Sequence, residues 1–405
     1  MKKPILFVTL CLDFGGAERH LSTIMPALAR RGWPVSVYCT NRLGAFADTV
    51  RRGGVEVIGP PIEATPGTTG RGLRLAYAAL ASARLLRVMR RLRPEIVHFF
   101  LPEPYMLGAP LALLRRIPIR IMSRRSLNLY QSQWPGVRWI EEHLHPHMTA
   151  ILGNSKRVVD ELLEEGCDPS RVGLIYNGVA LDRFGRQIDQ RQVRKSLGIA
   201  ADAFVISVVA NLVPRKRHSD ILDAVSRAAP RLPAPWTLVC VGRDDGCLAD
   251  VKAQAARLGI ASNVLLLGER SDVAEILQAS DMGVLASMEE GFSNALLELM
   301  AVGLPVVVTD VGGNSEAVVD RHNGLIVPPC RPHALAEAIV KVASNRAWAA
   351  MLGAAGRRRV ENLFNLQTCV DRYEALYEGL LAGQRVSDVP AVLAEQHEGV
   401  SVAGP

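Results

Sequence analysis

Residues 289 to 319 read EEGFSNALLELMAVGLPVVVTDVGGNSEAVV and hold the densest set of groups able to do chemistry. Glu290 stands just before a turn at Gly291, Ser293 or Asn294 is placed to cap a helix, and Glu298 falls about one turn inside that helix. The two carboxylates frame a helix N-terminus, whose free amides and positive dipole end favour a phosphate. A carboxylate near that phosphate can accept hydrogen bonds from both hydroxyls of a ribose, which suits Glu298, while Glu290 in the loop can meet sugar hydroxyls. Many solvated helices carry two glutamates at this spacing. This pair follows the strand-like run MGVLAS, and open α/β sheets bind ligands at the carboxyl ends of their strands.

Two further segments carry the same kind of chemistry. In VVANLVPRKRHSDILDA a strand runs into Asn211, and the triplet Arg215-Lys216-Arg217 precedes a helix. Fixed cations there can stabilise a departing diphosphate without a metal, and Lys216 is the candidate. The plain alternative is a solvated helix start. In CLDFGGAERHL, Gly15 and Gly16 open a helix at a place where backbone can approach a ligand closely. The segment is not the GxGxxG dinucleotide fingerprint, which the chain lacks, and a lone GG turn also serves purely structural ends. Asp244 and Asp245 invite a DxD metal reading, but the cation triplet makes a metal unnecessary, so neither metal nor cofactor is expected.

The elements that must position these residues are legible as apolar, β-branched runs separated by helix-length segments. ILFVTL, VSVYCT, EIVHFF, IRIM and TAILGN occupy the first half, and FVISVVAN, WTLVCVG, NVLLLG, MGVLAS, PVVVTD and GLIVPP the second. They predict two doubly wound α/β units with parallel sheets, and 405 residues suffice for two cores. The expected organisation is an N-terminal unit over 1–180, a connection over 181–202, a second unit over 203–362, a helix over 363–382 and a disordered tail over 383–405.

The balance of 49% hydrophobic and 21% charged residues is that of a globular protein. The apolar run after Lys2 and Lys3 is too short for a signal peptide, and no stretch approaches the ~18 apolar residues of a membrane span, so a cytoplasmic location is expected. Seven cysteines without ligand spacing read as buried thiols. The charge of +7 is uneven: residues 1–183 hold about 25 basic and 15 acidic side chains, an excess of roughly +10, and the remainder about −3. Part of the excess lies in a helical pattern that puts Arg84, Arg87 and Arg91 on one face. Such a face suits an anionic inner membrane or plain solvent, whereas nucleic acid is disfavoured by the lack of interleaved aromatic residues.

The glutamate pair and the following GGNSEAV resemble the E-x7-E block and glycine-rich stretch of retaining family-4 glycosyltransferases, and the layout matches to about residue 381. The resemblance implies a GT-B fold, two Rossmann-like domains facing a central cleft, with acceptor on the N-terminal domain, nucleotide-sugar donor on the C-terminal one, and a last helix crossing back. By resemblance Glu290 contacts the donor sugar, Glu298 the ribose, and the amides of Phe292, Ser293 and Asn294 lie near the sugar and diphosphate. Lys216 matches the lysine that grips the diphosphate, Gly15 and Gly16 the GGAE loop, and Glu269 and Arg270 lie beside the base. Relatives often have an arginine where this chain has Asn211, so Arg215 or Arg217 would have to replace it. Where many relatives have a histidine after the strand that here reads IRIM, this chain has Arg124 and Arg125, poor bases but good binders of acceptor phosphate. His98 is either a base or a satisfied structural residue.

The reading is transfer of a sugar from a nucleoside-diphosphate-sugar, a UDP-sugar, to a hydroxyl of a glycan or lipid-diphosphate-linked acceptor, with anomeric configuration retained, in bacterial surface polysaccharide biosynthesis. Its rival is a nucleotide-sugar-binding regulatory or scaffold protein without transferase activity, motivated by Asn211 and Arg124-Arg125.

Overall fold

The computed structural model describes residues 2–63, 71–134, 136–185 and 188–393. The chain forms two compact units, one of residues 1–178 with 366–405 and one of residues 179–365.

The first unit alternates β1 (Ile5–Thr9), α1 (Gly16–Arg30), β2 (Val35–Cys39), α2 (Ala47–Arg52), β3 (Glu56–Ile58), α3 (Arg71–Leu92), β4 (Ile96–Phe100), α4 (Pro102–Leu114), β5 (Ile119–Arg124), α5 (Leu129–Gln133), α6 (Val137–Leu144), β6 (Ala150–Gly153), α7 (Lys156–Glu164) and β7 (Val172–Leu174). The second holds α8 (Gln190–Ser196), β8 (Phe204–Val209), α9 (His218–Ala228), β9 (Trp236–Val241), α10 (Leu248–Arg257), β10 (Val264–Gly268), α11 (Val273–Gln278), β11 (Met282–Leu285), α12 (Asn294–Ala301), β12 (Val306–Thr309), α13 (Asn314–Ala317), β13 (Leu325–Val327), α14 (Pro332–Ala343) and α15 (Arg346–Leu363). The chain then returns to the first unit as α16 (Leu366–Leu381).

Every strand pairs in parallel, in the orders 3-2-1-4-5-6-7 and 10-9-8-11-12-13. Parallel neighbours need helical crossovers that cover both sheet faces, which is why β1, β4 and β11 are buried along their whole length and, His98 of β4 apart, lack charged or strongly polar side chains other than Thr9. The orders reverse beside β1 in the first sheet and beside β8 in the second, so the loops after β1 and β4, and after β8 and β11, diverge around a crevice in each unit.

In the first unit α3, α4 and α6 pack side by side as one layer, and α1 packs with α2 and α16. The return helix is held by more than apolar contact. Glu374 accepts hydrogen bonds from Arg31 Nη1 at 2.6 Å and Trp33 Nε1 at 3.0 Å, while the buried Tyr373 and Tyr377 hydroxyls meet His20 and His98 at 3.1 and 2.9 Å.

Two boundary expectations are corrected. The segment 181–202 is not a free connection but part of the second unit: buried Arg194 binds the carbonyls of Ala279, Ala201 and Ala203 and the Asp281 carboxylate at 2.9–3.0 Å. One arginine with four partners leaves no trace in a hydrophobic pattern. The tail expected to be disordered from residue 383 instead forms two 3-10 turns, Val386–Asp388 and Pro390–Val392, whose Val386, Val389 and Val392 enter the first core. Residues 394–405 of that expected tail lie outside the described residues. Gly173 in β7 makes room for the turns, because a Cβ there would stand 2.8 Å from Val386.

Burying a valine fully is worth roughly 1.5–3 kcal/mol. A chain ending at Ala382 is therefore expected to be less stable in urea than one ending at Leu393, by roughly 5 kcal/mol. Equal midpoints for the two would mean that the turns contribute nothing.

Candidate donor and acceptor sites

In the second unit the loops after β8 and β11 meet beside the sheet's reversal. Met288 N donates to the Arg215 carbonyl at 2.8 Å, and Lys216 Nζ reaches Glu290 Oε1 at 2.5 Å. The same carboxylate oxygen accepts from Ser287 Oγ at 2.7 Å, and Glu290 is 9% exposed. The ammonium and carboxylate thus hold one another in place, with Lys216 17% and Glu290 9% exposed. Ser293 caps α12 by accepting from Leu296 N at 3.3 Å, and Glu298 lies buried in the next turn. Phe292 is buried against Phe364, with ring centroids 5.1 Å apart, so only its backbone can serve a ligand.

The glycine-rich loop after β12 braces this arrangement. Gly313 N donates to the Gly291 carbonyl at 2.8 Å, and Gly312 adopts φ +50, where a Cβ would overlap the Glu290 carbonyl oxygen. Thr309 Oγ1 holds the Ser287 carbonyl at 2.7 Å, and Asn314 Nδ2 holds the Thr309 carbonyl at 3.1 Å. Asn314 Oδ1 is buried without a hydrogen-bond partner. Gly312 opens the glycine-rich GGNSEAV stretch, whereas Ser287 and Thr309 were missed by sequence reasoning. The Ser-x2-Glu spacing before the turn was the signal for Ser287.

The basic triplet divides its labour. Arg217, with φ +52, is bidentate to Asp220 at 2.7 and 2.9 Å, whereas Arg215 is exposed. Of the two arginines, Arg215 is thus the one available to a ligand. Asn211 is no cation substitute: its Oδ1 accepts from Arg243 N and its Nδ2 donates to Asp245, both at 3.2 Å. Asp244 accepts from the amides of Gly246, Cys247 and Leu248 at the start of α10, so this aspartate pair is engaged in loop structure. At the end of β10, Arg270 pairs with Asp272 and Glu269 is exposed. Buried His218 opens α9 with neither ring nitrogen hydrogen-bonded, and burial, then the charge of Lys216, press its pKa down to about 4.

In the first unit Gly15 is the extended N-cap of α1, with Gly16 its first residue and Glu18 in the first turn. The catalytic expectation for His98 is corrected. It is fully buried, its nitrogens bound by Tyr377 at 2.9 Å and Ser123 at 2.7 Å, and burial, then the charge of Arg125, hold it well below the usual imidazole range. Arg124 is corrected likewise: it is buried, with Nη1 on Glu165 at 2.7 Å and Nη2 on Glu141 at 3.2 Å. A guanidinium neutralised by two carboxylates cannot recruit an acceptor phosphate. Arg125 differs. It is half-buried over the Phe100 ring and bonded to Asn177, and its Nε lacks a partner.

Two parallel, doubly wound sheets of this kind define a GT-B protein, and solved structures agree. Anabaena HepE in complex with UDP and glucose superposes with a TM-score of 0.82 at 21% identity, covering 93% of this chain and 100% of that one. Residues 14–183 match the family described as Glycosyltransferase Family 4, and residues 189–359 match Glycosyl transferases group 1. The chain belongs to the family-4 glycosyltransferases. It is 25% identical to the Escherichia coli UDP-Gal:alpha-D-GlcNAc-diphosphoundecaprenol alpha-1,3-galactosyltransferase over 72% of this chain and 77% of that protein. It is 26% identical to the Rhodococcus erythropolis D-inositol 3-phosphate glycosyltransferase over 93% and 88%.

Gly312→Ala is expected to cost about 2 kcal/mol or more and to weaken nucleotide-sugar affinity, because Glu290 must move away from the new methyl. Denaturation and calorimetry check both, and an unchanged affinity would dissociate the loop from the site. Arg124→Gln is expected to destabilise by about 3–5 kcal/mol, leaving two buried carboxylates without their cation. Burial alone would raise Glu165, but His145, Arg124 and Asn128 hold it at about 2 against an ordinary 4.5. Its depressed value makes the stabilisation complete above about pH 4.5 and lost as pH falls towards 2. The gap between wild type and variant should therefore narrow over that window in urea titrations.

Proposed function

We propose that the protein moves a sugar from a UDP-sugar to a hydroxyl of a glycan or lipid-diphosphate-linked acceptor, with retention at the anomeric carbon, in the building of a bacterial surface polysaccharide. The observation that carries the donor side is the Lys216–Glu290 pair beside the N-terminus of α12, at the reversal of a parallel sheet. The cationic side chains of Lys216 and Arg215, with the amides at the start of α12, suit a diphosphate that gains charge as its bond to the sugar breaks. Glu290 suits the sugar hydroxyls and an oxocarbenium-like carbon, and Glu298 the ribose.

With His98 sealed in the core, no protein base is invoked. The acceptor oxygen bonds to the anomeric carbon on the face from which the phosphate oxygen departs, and that departing oxygen takes the acceptor proton. UDP leaves, and neither metal nor other cofactor is invoked. On the acceptor side the reading narrows to Arg125, which is half-buried rather than sealed between two carboxylates, as the cation left to meet an anionic group such as a lipid diphosphate. The relative acting on a diphosphoundecaprenol acceptor and the UDP and glucose bound in the HepE structure support this reading. So does the basic α3, which would meet an anionic inner membrane from the cytoplasmic side; among the described residues no helix is long and apolar enough to cross one.

Calorimetry against UDP-, GDP- and ADP-sugars should find one tight UDP-sugar, and Glu298→Ala should weaken it roughly 10- to 100-fold through the loss of charge-assisted hydrogen bonds. No binding across the panel would overturn the donor reading. With the productive donor and an acceptor, NMR of the product should show the donor's anomeric configuration, and the opposite anomer would exclude retention.

A further inference from the structure

Arg125, just past the end of β5, is tied into a network of buried side chains from α1, β4, β5 and α16. Tyr373 of the return helix is its hub. The Tyr373 hydroxyl lies 3.1 Å from His20 Nε2 and is hydrogen-bonded to Ser123 and Arg125 as well. Ser123 Oγ in turn lies 2.7 Å from His98 Nε2, and His98 Nδ1 lies 2.9 Å from the Tyr377 hydroxyl. Tyr373, Tyr377 and His98 are fully buried. Arg125 also donates to Asn177 and lies over the Phe100 ring.

The chemistry of the groups sets the direction of these bonds. A guanidinium can only donate, so the Tyr373 oxygen accepts from Arg125, and the phenolic proton goes to Ser123 or His20. Burial, then the charge of Arg125, holds both His20 and His98 well below the usual imidazole range, so both rings are neutral. The network therefore restrains Arg125 without balancing its charge. Arg124 is the contrast one residue earlier, held by two carboxylates. Arg125 is held by a phenol, an amide oxygen and an aromatic face, all of them neutral.

We propose that Tyr373 is a positioning residue, which from the return helix orients the Arg125 guanidinium towards the anionic group of the acceptor. The tyrosine is suited to this because its own place is settled: its ring packs against His20, His98 and Tyr377, with centroids 5.8–6.0 Å apart. An arginine has many rotamers, and one that is oriented in advance loses less freedom when the ligand arrives. Tyr377, one turn further along α16, shows what a hydroxyl with a structural role alone looks like. It is equally buried and bonds His98, without reaching a cation. The proposal rests on the reading above that Arg125 meets the acceptor, and it makes α16 part of acceptor recognition.

The test is calorimetry of the full chain, held in saturating UDP, against N-acetylglucosamine linked through diphosphate to a decyl chain. Tyr373→Phe removes one oxygen and should weaken this probe roughly five- to tenfold, with UDP affinity unchanged. Tyr377→Phe is the matched control, expected to lower the thermal midpoint about as much as Tyr373→Phe while binding the probe like wild type. Arg125→Gln should weaken the probe at least as much as Tyr373→Phe does, and combining the two should add nothing further. If Arg125→Gln weakened the probe but Tyr373→Phe did not, the positioning role would be overturned and the acceptor reading kept. Additive effects of the two substitutions, or an equal loss in Tyr377→Phe, would also overturn it, since the contribution of Tyr373 would then be to stability. Wild type that ignores the probe, or Arg125→Gln that binds it like wild type, would remove the acceptor reading and the proposal together.

Discussion

A parallel sheet cannot turn back on itself within a few residues, and the rest of this molecule depends on that constraint. Each strand must be followed by a crossover, so all strands of a unit end on the same edge and every following loop opens there. Where the winding direction reverses, the two loops diverge, and in the second unit these are the loops that carry Lys216 and Glu290. The ion pair is the product of that topology: β8 and β11 are neighbours, and residues 74 positions apart in the chain meet within hydrogen-bond distance. Gly312 belongs to the same logic, since the loop of the next strand, β12, packs so closely against Glu290 that no side chain fits.

The first unit shows how burial redirects charge. Arg124 and Arg125 are adjacent in sequence and alike in chemistry, yet one lies in the core between two carboxylates and the other is half-buried over Phe100. Strand alternation sends neighbouring side chains to opposite faces, and one face of the end of β5 meets Glu141 and Glu165. Arg124 draws Glu141 of α6 inward, while Trp139 of the same helix stays exposed beside Arg138 and His143.

How much could be read from the residues varied with the range of the signal. Eleven of the thirteen strands among the described residues were legible, because short buried apolar runs and helical periodicity are local patterns, whereas β3 and β7, only three residues each, were not. The capping serine, the carboxylate one turn into α12 and the basic triplet were legible for the same reason. The use of Arg194, the burial of Val386 and Val392, and the sealing of His98 under Tyr377 were not, since each depends on a partner distant in sequence. A histidine at a strand end looks the same in sequence whether it faces solvent or a tyrosine hydroxyl.

By itself, then, the sequence determined the α/β class, the doubly wound organisation, the family resemblance and the segments that could hold a nucleotide-sugar, all of which follow from spacing along the chain. The tertiary structure decided which side chains are tied into the core or to one another: Arg124 sealed between two carboxylates where Arg125 is half-buried, Arg217 bound to Asp220 where Arg215 is exposed, His98 buried, and Glu290 fixed by Ser287 and Lys216. The physical reason is that a hydrogen bond or ion pair depends on where two groups stand in space, and separation in space is not encoded in separation along the chain.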